Sequence, residues 1–255
     1  DRRNQKIIDS TPTLAARTLR SGMMGGVTSP ARPWFRLTHP DPAISEISSV
    51  KEWLHAVSQA MSTAFLRSNL YNVLPTSYGD LGVFGTAAIF MDKDPESVSW
   101  FQSFPLGSYR IAKDYRGRVN VFYREYRMTG RQIINTFGRK DDETGKPDFS
   151  IFSKQVVDLY NKGNYEIWID VAHIIEPNEE YDSSKLSAKY KKFKSCYFER
   201  NCSKEDEDKY LRESGYDYFP VLVPRWQVTG MDVYATDCPG MASIGDNKQL
   251  QSSEK

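Results

Sequence analysis

Residues 20–38 read RSGMMGGVTSPARPWFRLT, a run that combines glycines, prolines, arginines and aromatic side chains and that we call the elbow. Glycine lowers helix stability and permits the positive φ at which many helices end, so a preceding helix is expected to stop at Gly25 and Gly26. The prolines that bracket Arg32 favour extended backbone at Ala31 and Arg32. The sequence therefore predicts a sharp change of direction here.

The aromatic and basic residues of the elbow are open to three interpretations. Arg32 and Arg36 could grip a phosphate, Trp34 could stack on a base, or the corner could lock two structural elements together. Proline-rich corners with a large apolar residue such as Trp34 or Phe35 are ordinary packing devices. We therefore favour the structural role, and the rest of the chain decides between the alternatives.

Length and charge limit the classes of protein to which this chain can belong. With 255 residues the chain suits one large domain or two small ones. Its 34 lysines and arginines nearly balance 33 aspartates and glutamates, so no overall basic character indicates a nucleic-acid binder. No apolar run approaches the roughly 18 residues of a membrane span, and no charged-then-apolar leader opens the chain. We expect a soluble, non-exported protein without membrane contact; its start at Asp1 instead of Met suggests a trimmed piece.

The cysteines and histidines show no ligand or disulfide pattern. There is no Cys-x-x-Cys pair and no His-x-x-x-His pair, which argues against a metal centre and a disulfide framework. His173 falls in a predicted strand, where we expect it to be packed or hydrogen-bonded. We predict a reducing compartment, no metal and no cofactor. The residues concerned are Cys196, Cys202, Cys238, His39, His55 and His173.

Two N-terminal helices flank the elbow region in sequence. One is predicted to start at Thr11, with Pro12 in its first turn. Another is predicted over 70–85, where glycines at three-residue spacing indicate close backbone approach to a neighbouring element or, alternatively, a loose helix with an irregular end.

The clearest helix lies between them. Apolar residues recur at steps of three and four at positions 47, 50, 54, 57, 61 and 64, which we call the apolar stripe. Trp53 and Phe65 widen it, and Asp41 or Ser45 could cap the helix. Such a stripe implies packing against a neighbour, either within one subunit or across an interface.

From Thr86 the apolar period changes to two, which indicates strands. They are predicted over 86–92, 98–104, 108–114, 119–128, 165–175 and 193–199, with an interrupted edge strand over 219–228. Short helices are predicted over 130–137 and 149–162, and charged loops over 139–147 and 201–209. We therefore predict an α+β fold in which N-terminal helices pack on a mostly antiparallel β-rich region. Its parts are a helical segment 1–92, a β-rich segment 93–234 and the start of a further helix over 235–255.

No motif for catalysis is visible. Gly145-Lys146 is followed by Pro instead of Ser or Thr, so a Walker loop is missing from the sequence. Gly22–Gly26 follows a helix instead of opening one, which is the wrong polarity for dinucleotide binding. Hydrolase, zinc-protease and kinase signatures are also missing. The sequence predicts a protein that is not an enzyme.

Several motifs, taken together, resemble the head-to-tail connecting (portal) proteins of short-tailed phages. The stretch 21–37 is close to that family's N-terminal signature, and further matches follow in the expected order. They are 51–54 (KEWL), 68–72 (SNLYN), 80–88 (DLGVFGTAA), 123–129 (YREYRMT), 211–216 (LRESGY), 219–220 (FP), 223–226 (VPRW) and 239–241 (PGM). Family members continue past this length into channel-lining helices, and residues 178–209 depart from the pattern.

The resemblance implies a structural protein without chemistry of its own. The full protein would form a twelve-fold ring at one capsid vertex, through which an ATP-driven terminase packages DNA and from which DNA is ejected. Expected partners are further copies in a dodecameric homo-oligomer, capsid, scaffold, terminase and tail adaptor proteins, and double-stranded DNA in the channel. The expected location is the virion, after assembly in the host cytoplasm, and this segment would form the outer wing of the ring.

The elbow is then expected to be a rigid joint. Trp34 and Phe35 would pack, Arg32 and Arg36 would pair within or between subunits, and Trp53 is a further candidate for subunit contact. Sequence does not indicate which residues face DNA. The alternative is a nucleic-acid binding module that uses Arg32, Trp34, Arg36 and the Arg116–Arg118 turn, with steeply salt-dependent binding.

Overall fold

The computed structural model describes residues 8–138, 149–200, 202 and 209–253. The chain separates into two compact units. Unit 1 comprises Asp1–Leu106 and Val221–Lys255, and unit 2 comprises Gly107–Pro220. Unit 2 is thus a continuous insertion in the sequence of unit 1. The three sequence-predicted segments, 1–92, 93–234 and 235–255, stay a prediction.

Helices dominate the start of the chain and antiparallel strands its middle, which confirms the predicted α+β class. The α-helices of the described residues are α1 (Thr11–Val27), α2 (Pro42–Ser45), α3 (Ser48–Arg67), α4 (Leu70–Phe84), α5 (Gly130–Phe137), α6 (Lys154–Asn161), α7 (Pro239–Ala242) and α8 (Ile244–Ser253). The strands are β1 (Ala88–Asp94), β2 (Val98–Phe104), β3 (Tyr109–Lys113), β4 (Val119–Thr129), β5 (Trp168–Pro177), β6 (Phe193–Glu199), β7 (Arg212–Tyr216) and β8 (Val221–Leu222).

The helices α1 and α4 pack closely in unit 1. A Cβ built on Gly82 would lie 2.7 Å from Cδ2 of Leu19, so this glycine gives the close approach that the sequence predicts. Gly85 ends α4 with a φ of 77°. The predicted end of α1 at Gly25 and Gly26 is slightly early, because the helix continues to Val27.

The helix α3 forms where its periodicity predicts, but its apolar stripe is not buried within the described residues. Ser58 is the one residue of α3 that is buried, whereas Ile47, at the N-cap, and Met61 are exposed. The predicted capping by Asp41 is wrong for α3. Asp41 Oδ1 accepts a hydrogen bond from Ala43 N at 2.9 Å and caps the short helix α2 instead.

The sheet of unit 1 has the order β2-β1-β8, with antiparallel pairs throughout. Of the interrupted edge strand predicted over 219–228, only Val221 and Leu222 form a strand, β8, although Arg225 and Gln227 each make an isolated bridge. At the opposite edge, the Asn69 side chain accepts from Phe101 N at 2.8 Å and donates to Phe101 O at 2.7 Å. One side chain thus satisfies the outward-facing backbone groups at the middle of β2 and blocks this edge against further pairing.

Unit 2 contains a five-stranded antiparallel sheet of order β3-β4-β5-β6-β7. Helices α5 and α6 cover part of one face. Thr129 starts α5 through a capping box with Gln132, and Ser153 caps α6. The core between helices and sheet consists of Ile133, Ile134, Phe137, Phe152, Val156, Ile169, Val171 and Leu211.

Two sequence-level expectations for unit 2 need correction. The helix predicted over 149–162 begins only at Lys154, because Ser153 takes its cap position and Glu199 accepts hydrogen bonds from both Ser153 N and Oγ. The strand β7 is missing from the prediction, since its sequence RESGY lacks apolar alternation. The predicted charged loops over 139–147 and 201–209 lie outside the described residues, apart from Cys202 and Lys209.

Candidate functional site

An aromatic cluster joins the elbow to α3 and α4. The ring of Trp34 lies 4.9 Å from Phe35, edge to face, and 6.1 Å from Phe65 of α3, where the two rings are nearly parallel. Trp34 Nε1 donates a hydrogen bond to Tyr71 Oη of α4 at 3.0 Å. Because Trp34 contacts both helices, the cluster fixes the direction of the chain as it leaves the elbow.

Polar bonds add to this attachment. Leu37 N donates to Ser58 Oγ at 3.2 Å, and the same hydroxyl donates to Leu54 O. Arg32 Nη2 donates to the carbonyl of Gly25 at 3.0 Å, near the C-terminal end of α1, where a cation interacts favourably with the helix dipole. The elbow therefore contacts three helices of unit 1.

A groove of about 390 Å³ runs between the elbow and α3; we call it the elbow groove. One wall carries Arg32, Trp34 and Arg36, and the other carries polar and apolar residues of α3. Its lining includes Arg32, Trp34, Phe35, Arg36, His55, Ser58, Gln59, Ser62, Leu66 and Tyr71. Trp34 is 37 % exposed and Leu66 is 58 % exposed, so apolar surface remains open to solvent.

The arginines of the groove have no carboxylate partner. Arg36 is exposed and makes no ion pair or hydrogen bond anywhere in the described part of the chain, and Arg32 bonds a carbonyl instead of an acid. Within the described part of the chain, Arg32 is therefore bonded to backbone alone and Arg36 has no partner. Pairing with another subunit stays a prediction.

Trp53 lies apart from the other predicted site residues. It is 64 % exposed and is not among the residues that line the elbow groove. The structure thus brings together Arg32, Trp34, Phe35 and Arg36, but not Trp53. Sequence reasoning missed Phe65 and Tyr71 as members of the site, although Tyr71 belongs to the quoted SNLYN motif.

A second cluster joins the end of α4 and the start of β1 to a segment far away in sequence; we call it the Gly85 joint. Trp226 N donates to Gly85 O at 2.7 Å, and Ala235 N donates to Thr86 Oγ1 at 3.0 Å. A Cβ on Gly240 would lie 2.3 Å from Val83 O, so α7 packs directly on the end of α4. The motifs DLGVFGTAA, VPRW and PGM therefore meet at one place.

The exposed face of the unit 2 sheet carries ion pairs, each between one basic and one acidic side chain. Arg127 pairs with Asp170, Arg200 with Glu125 and Lys194 with Glu176, each at 2.9 Å. At this face the positive charges of Arg127, Arg200 and Lys194 are thus neutralised by carboxylates. At the β3–β4 turn, Asp114 Oδ1 accepts from the backbone N of Arg116 and Arg118, each at 2.9 Å, and Arg116 Nε donates to Tyr115 Oη. This turn belongs to unit 2 and the elbow to unit 1.

His173 is a packed strand residue, as predicted. It is 1 % exposed, its Nε2 lies 2.9 Å from Ser195 Oγ, and its ring stacks on Tyr197 at 3.8 Å. Burial, with a contribution from the nearby charges of Arg124 and Arg212, lowers the pKa of His173 to about 2. A neutral imidazole at this position is a structural element of the sheet.

The described residues contain no group of three or more acidic, cysteine or histidine side chains that could hold a metal ion. Over the same residues, no helix combines the length and hydropathy needed to cross a bilayer. The cysteines at 196, 202 and 238 are free thiols.

Comparison with known proteins gives a consistent result. Residues 1–255 match the family described as "Bacteriophage head to tail connecting protein". The chain is 46% identical over 255 residues to the protein named "Portal protein" of Salmonella phage epsilon15, with 100% of this chain and 44% of that protein covered. It is 41% identical over 254 residues to the "Probable portal protein" of Bordetella phage BPP-1, with 100% and 43% covered. The chain thus spans less than half the length of these curated relatives.

Proposed function

Because this chain belongs to the family of bacteriophage head-to-tail connecting proteins, we propose that it is part of a portal protein. The portal is a ring at one capsid vertex through which double-stranded DNA is packaged and later ejected. The observation that carries the proposal is the match over the whole chain, together with relatives whose printed names are "Portal protein" and "Probable portal protein". The protein acts by assembly in the virion and catalyses no reaction.

The proposed partners follow from this role. The ring is a dodecamer that assembles in the host cytoplasm and contacts capsid, scaffold, terminase and tail adaptor proteins. This chain forms the outer wing of the ring. The elbow residues Arg32, Trp34, Phe35 and Arg36 form a rigid joint whose arginines pair within or between subunits, and Trp53 contacts a neighbouring subunit.

The charge distribution supports a conduit more than a DNA-binding module. The chain has a net charge of +1, and three basic side chains on the exposed sheet face of unit 2 are paired with carboxylates. Each neutralised phosphate would add salt-dependent affinity and so oppose the sliding of DNA. A conduit that moves DNA benefits from few such contacts.

Electron microscopy and mass measurement of the full-length protein test the proposal. We expect closed rings of twelve subunits. A protein that remains a stable monomer under all conditions, at concentrations that include those reached during phage assembly, would contradict the portal role.

A further inference from the structure

The hairpin that joins β1 to β2 ends in acidic side chains; we call residues 92–96 (DKDPE) the acidic tip. Its acids are Asp92, Asp94 and Glu96, which stand against one lysine. None of these acids makes an ion pair in the described part of the chain. Asp92 lies opposite Trp100 in the β1–β2 register, and Asp94 lies opposite Val98. Opposite residues of an antiparallel pair share a face, so two of the acids stand beside exposed apolar side chains.

Asp94 holds the acidic tip in one conformation. Its Oδ2 accepts hydrogen bonds from the backbone N of Ser97 at 2.8 Å and from the Ser97 hydroxyl. These bonds lower the pKa of Asp94, because they stabilise its charged form. The acidic tip therefore presents fixed negative charge at neutral pH.

The β3–β4 turn has the opposite charge. Residues 113–118 (KDYRGR) contain three basic side chains and one acid, Asp114. Asp114 bonds backbone N–H groups of the turn. Arg116 and Arg118 are exposed and make no ion pair among the residues that the structure describes. Tyr115 is 85 % exposed, and the guanidinium of Arg116 lies 5.2 Å from the centre of its ring. The turn thus presents two arginines and an aromatic ring to solvent.

We propose that the β3–β4 turn of one copy docks on the acidic tip of the next copy. This inference rests on the proposed ring and specifies one of its subunit contacts. The acidic tip belongs to unit 1 and the turn to unit 2, so the contact joins two different surfaces. Such a contact is heterologous, and heterologous contacts generate rings when the rotation between copies closes.

The chemistry of the two surfaces favours this pairing. Each surface has a net excess of two charges, negative at 92–96 and positive at 113–118. Carboxylate–guanidinium hydrogen bonds are among the stronger polar contacts in proteins. Trp100, which is 43 % exposed beside Asp92, offers the type of ring that a guanidinium prefers. Arginine, tyrosine and tryptophan are also the residue types enriched at the centres of strong interfaces.

A phosphate backbone is the competing occupant of the turn. Duplex DNA carries one negative charge per about 1.7 Å of its axis, so proteins that hold it neutralise many phosphates at once. The β3–β4 turn offers two exposed arginines with an aspartate between strand and turn, which suits a compact acidic partner better. The acidic tip is a surface of that size and charge.

The decisive experiment reverses the charges on either side of the contact in the full-length protein. D92K/E96K leaves the bonds of Asp94 in place, and R116E/R118E leaves those of Asp114. Each variant alone is expected to weaken subunit association at least about tenfold, measured by sedimentation or native mass spectrometry, because like charges then face each other.

Mixing the two variants distinguishes contact between copies from pairing within one chain. When the variants alternate around a ring, every contact again joins opposite charges, so the mixture is expected to assemble like the wild type. Pairing inside one chain would not be restored by mixing. E179K/E180K, a double reversal at exposed positions of unit 2, is the matched control and should assemble normally.

The outcomes separate this contact from the proposed function. If the wild type forms rings and both variants do so equally well, the contact is overturned while the portal role stands. Weakened assembly that mixing does not restore also overturns it. Normal rings of R116E/R118E that retain less DNA would assign the turn to phosphate instead. If the wild type forms no ring, the portal role fails and the contact with it.

Cross-linking gives a second readout that does not depend on charge reversal. When a Glu96→Cys population is mixed with a Tyr115→Cys population, a short bis-maleimide is expected to join the two cysteines between subunits, identified by peptide mass spectrometry. Absence of this product in assembled rings would overturn the proposal. Because Glu96 and Tyr115 are exposed, both variants are expected to fold normally.

Discussion

Trp34 and Trp53 of unit 1 differ in their contacts and in their exposure to solvent. Trp34 contacts Phe35 and Phe65 and donates a hydrogen bond to Tyr71, whereas Trp53 projects into solvent. We expect Trp34→Ala to lower the free energy of unfolding of unit 1 by about 2–3 kcal/mol. This is less than the ~3–5 kcal/mol of a fully buried aromatic residue, because the Trp34 side chain is 37 % exposed.

Chemical denaturation of the two variants measures the difference. Trp53→Ala should change the free energy of unfolding by no more than about 0.5 kcal/mol, since it removes exposed surface only. Equal destabilisation of both variants would mean that Trp34 is not the anchor of the elbow.

His173 makes stability depend on pH. Its pKa in the folded state is lowered to about 2, so the unfolded chain binds a proton below its ordinary pKa of 6.5 while the folded chain does not. Stability of unit 2 is therefore fully present above pH 6.5 and declines as the pH falls below it, at up to about 1.4 kcal/mol per pH unit. Between pH 8 and pH 5 this amounts to about 2 kcal/mol.

Substitution of the imidazole isolates this contribution. His173→Gln keeps a hydrogen-bonding group near Ser195 but has no titrating proton, so it should flatten the pH dependence of thermal unfolding between pH 5 and 7. An unchanged pH profile in the variant would assign the acid sensitivity to other groups.

At the level of elements, the Gly85 joint connects helix α4, strand β1 and the segment before α7. Gly85 has a φ of 77°, and an added Cβ would lie 2.7 Å from the Cβ of Ala235. Gly85→Ala therefore combines the cost of a left-handed alanine with a steric clash, and we expect the stability of unit 1 to fall by about 3 kcal/mol or more.

Gly230 provides the matched control within the same unit. It also has a positive φ, 60°, but nothing lies within 4 Å of an added Cβ. Gly230→Ala should thus lower the free energy of unfolding only by the cost of placing alanine at a positive φ, about 1 kcal/mol. Similar destabilisation by both substitutions, measured by urea denaturation, would show that close packing at the joint contributes little.

The elements that sequence can predict are those whose signals are local. The apolar period of α3 repeats within one stretch of the sequence, and the capping residues of α5 are close neighbours in the sequence. Both helices are therefore predicted near their observed bounds. The strand β7 escapes prediction because RESGY becomes a strand through pairing with β6, which no local pattern records. The burial of α3 is likewise unpredictable, since periodicity identifies an apolar stripe but not the partner that covers it.

At the scale of the whole molecule, the same limit applies to the candidate site. Sequence locates Arg32, Trp34, Phe35 and Arg36, because glycines, prolines and aromatic residues stand together in one stretch. It does not locate Phe65, which reaches the cluster from α3, nor the Gly85 joint, whose members Gly85 and Ala235 are far apart in the chain. Contacts between remote segments depend on tertiary packing, and only the structure reveals them.

The charge of the whole chain also gives a prediction that distinguishes the conduit from the DNA-binding module. With a net charge of +1 and ion pairs across the unit 2 sheet, we expect no saturable binding to a 30-base-pair duplex below about 100 μM protein at 150 mM salt, measured by fluorescence anisotropy. Micromolar affinity that falls steeply as salt rises would instead favour the binding module. In that case, the double variants R32E/R36E and R116E/R118E would show whether DNA binds at the elbow or at the β3–β4 turn. Each arginine removed from a phosphate contact lowers the slope of the salt dependence by about one.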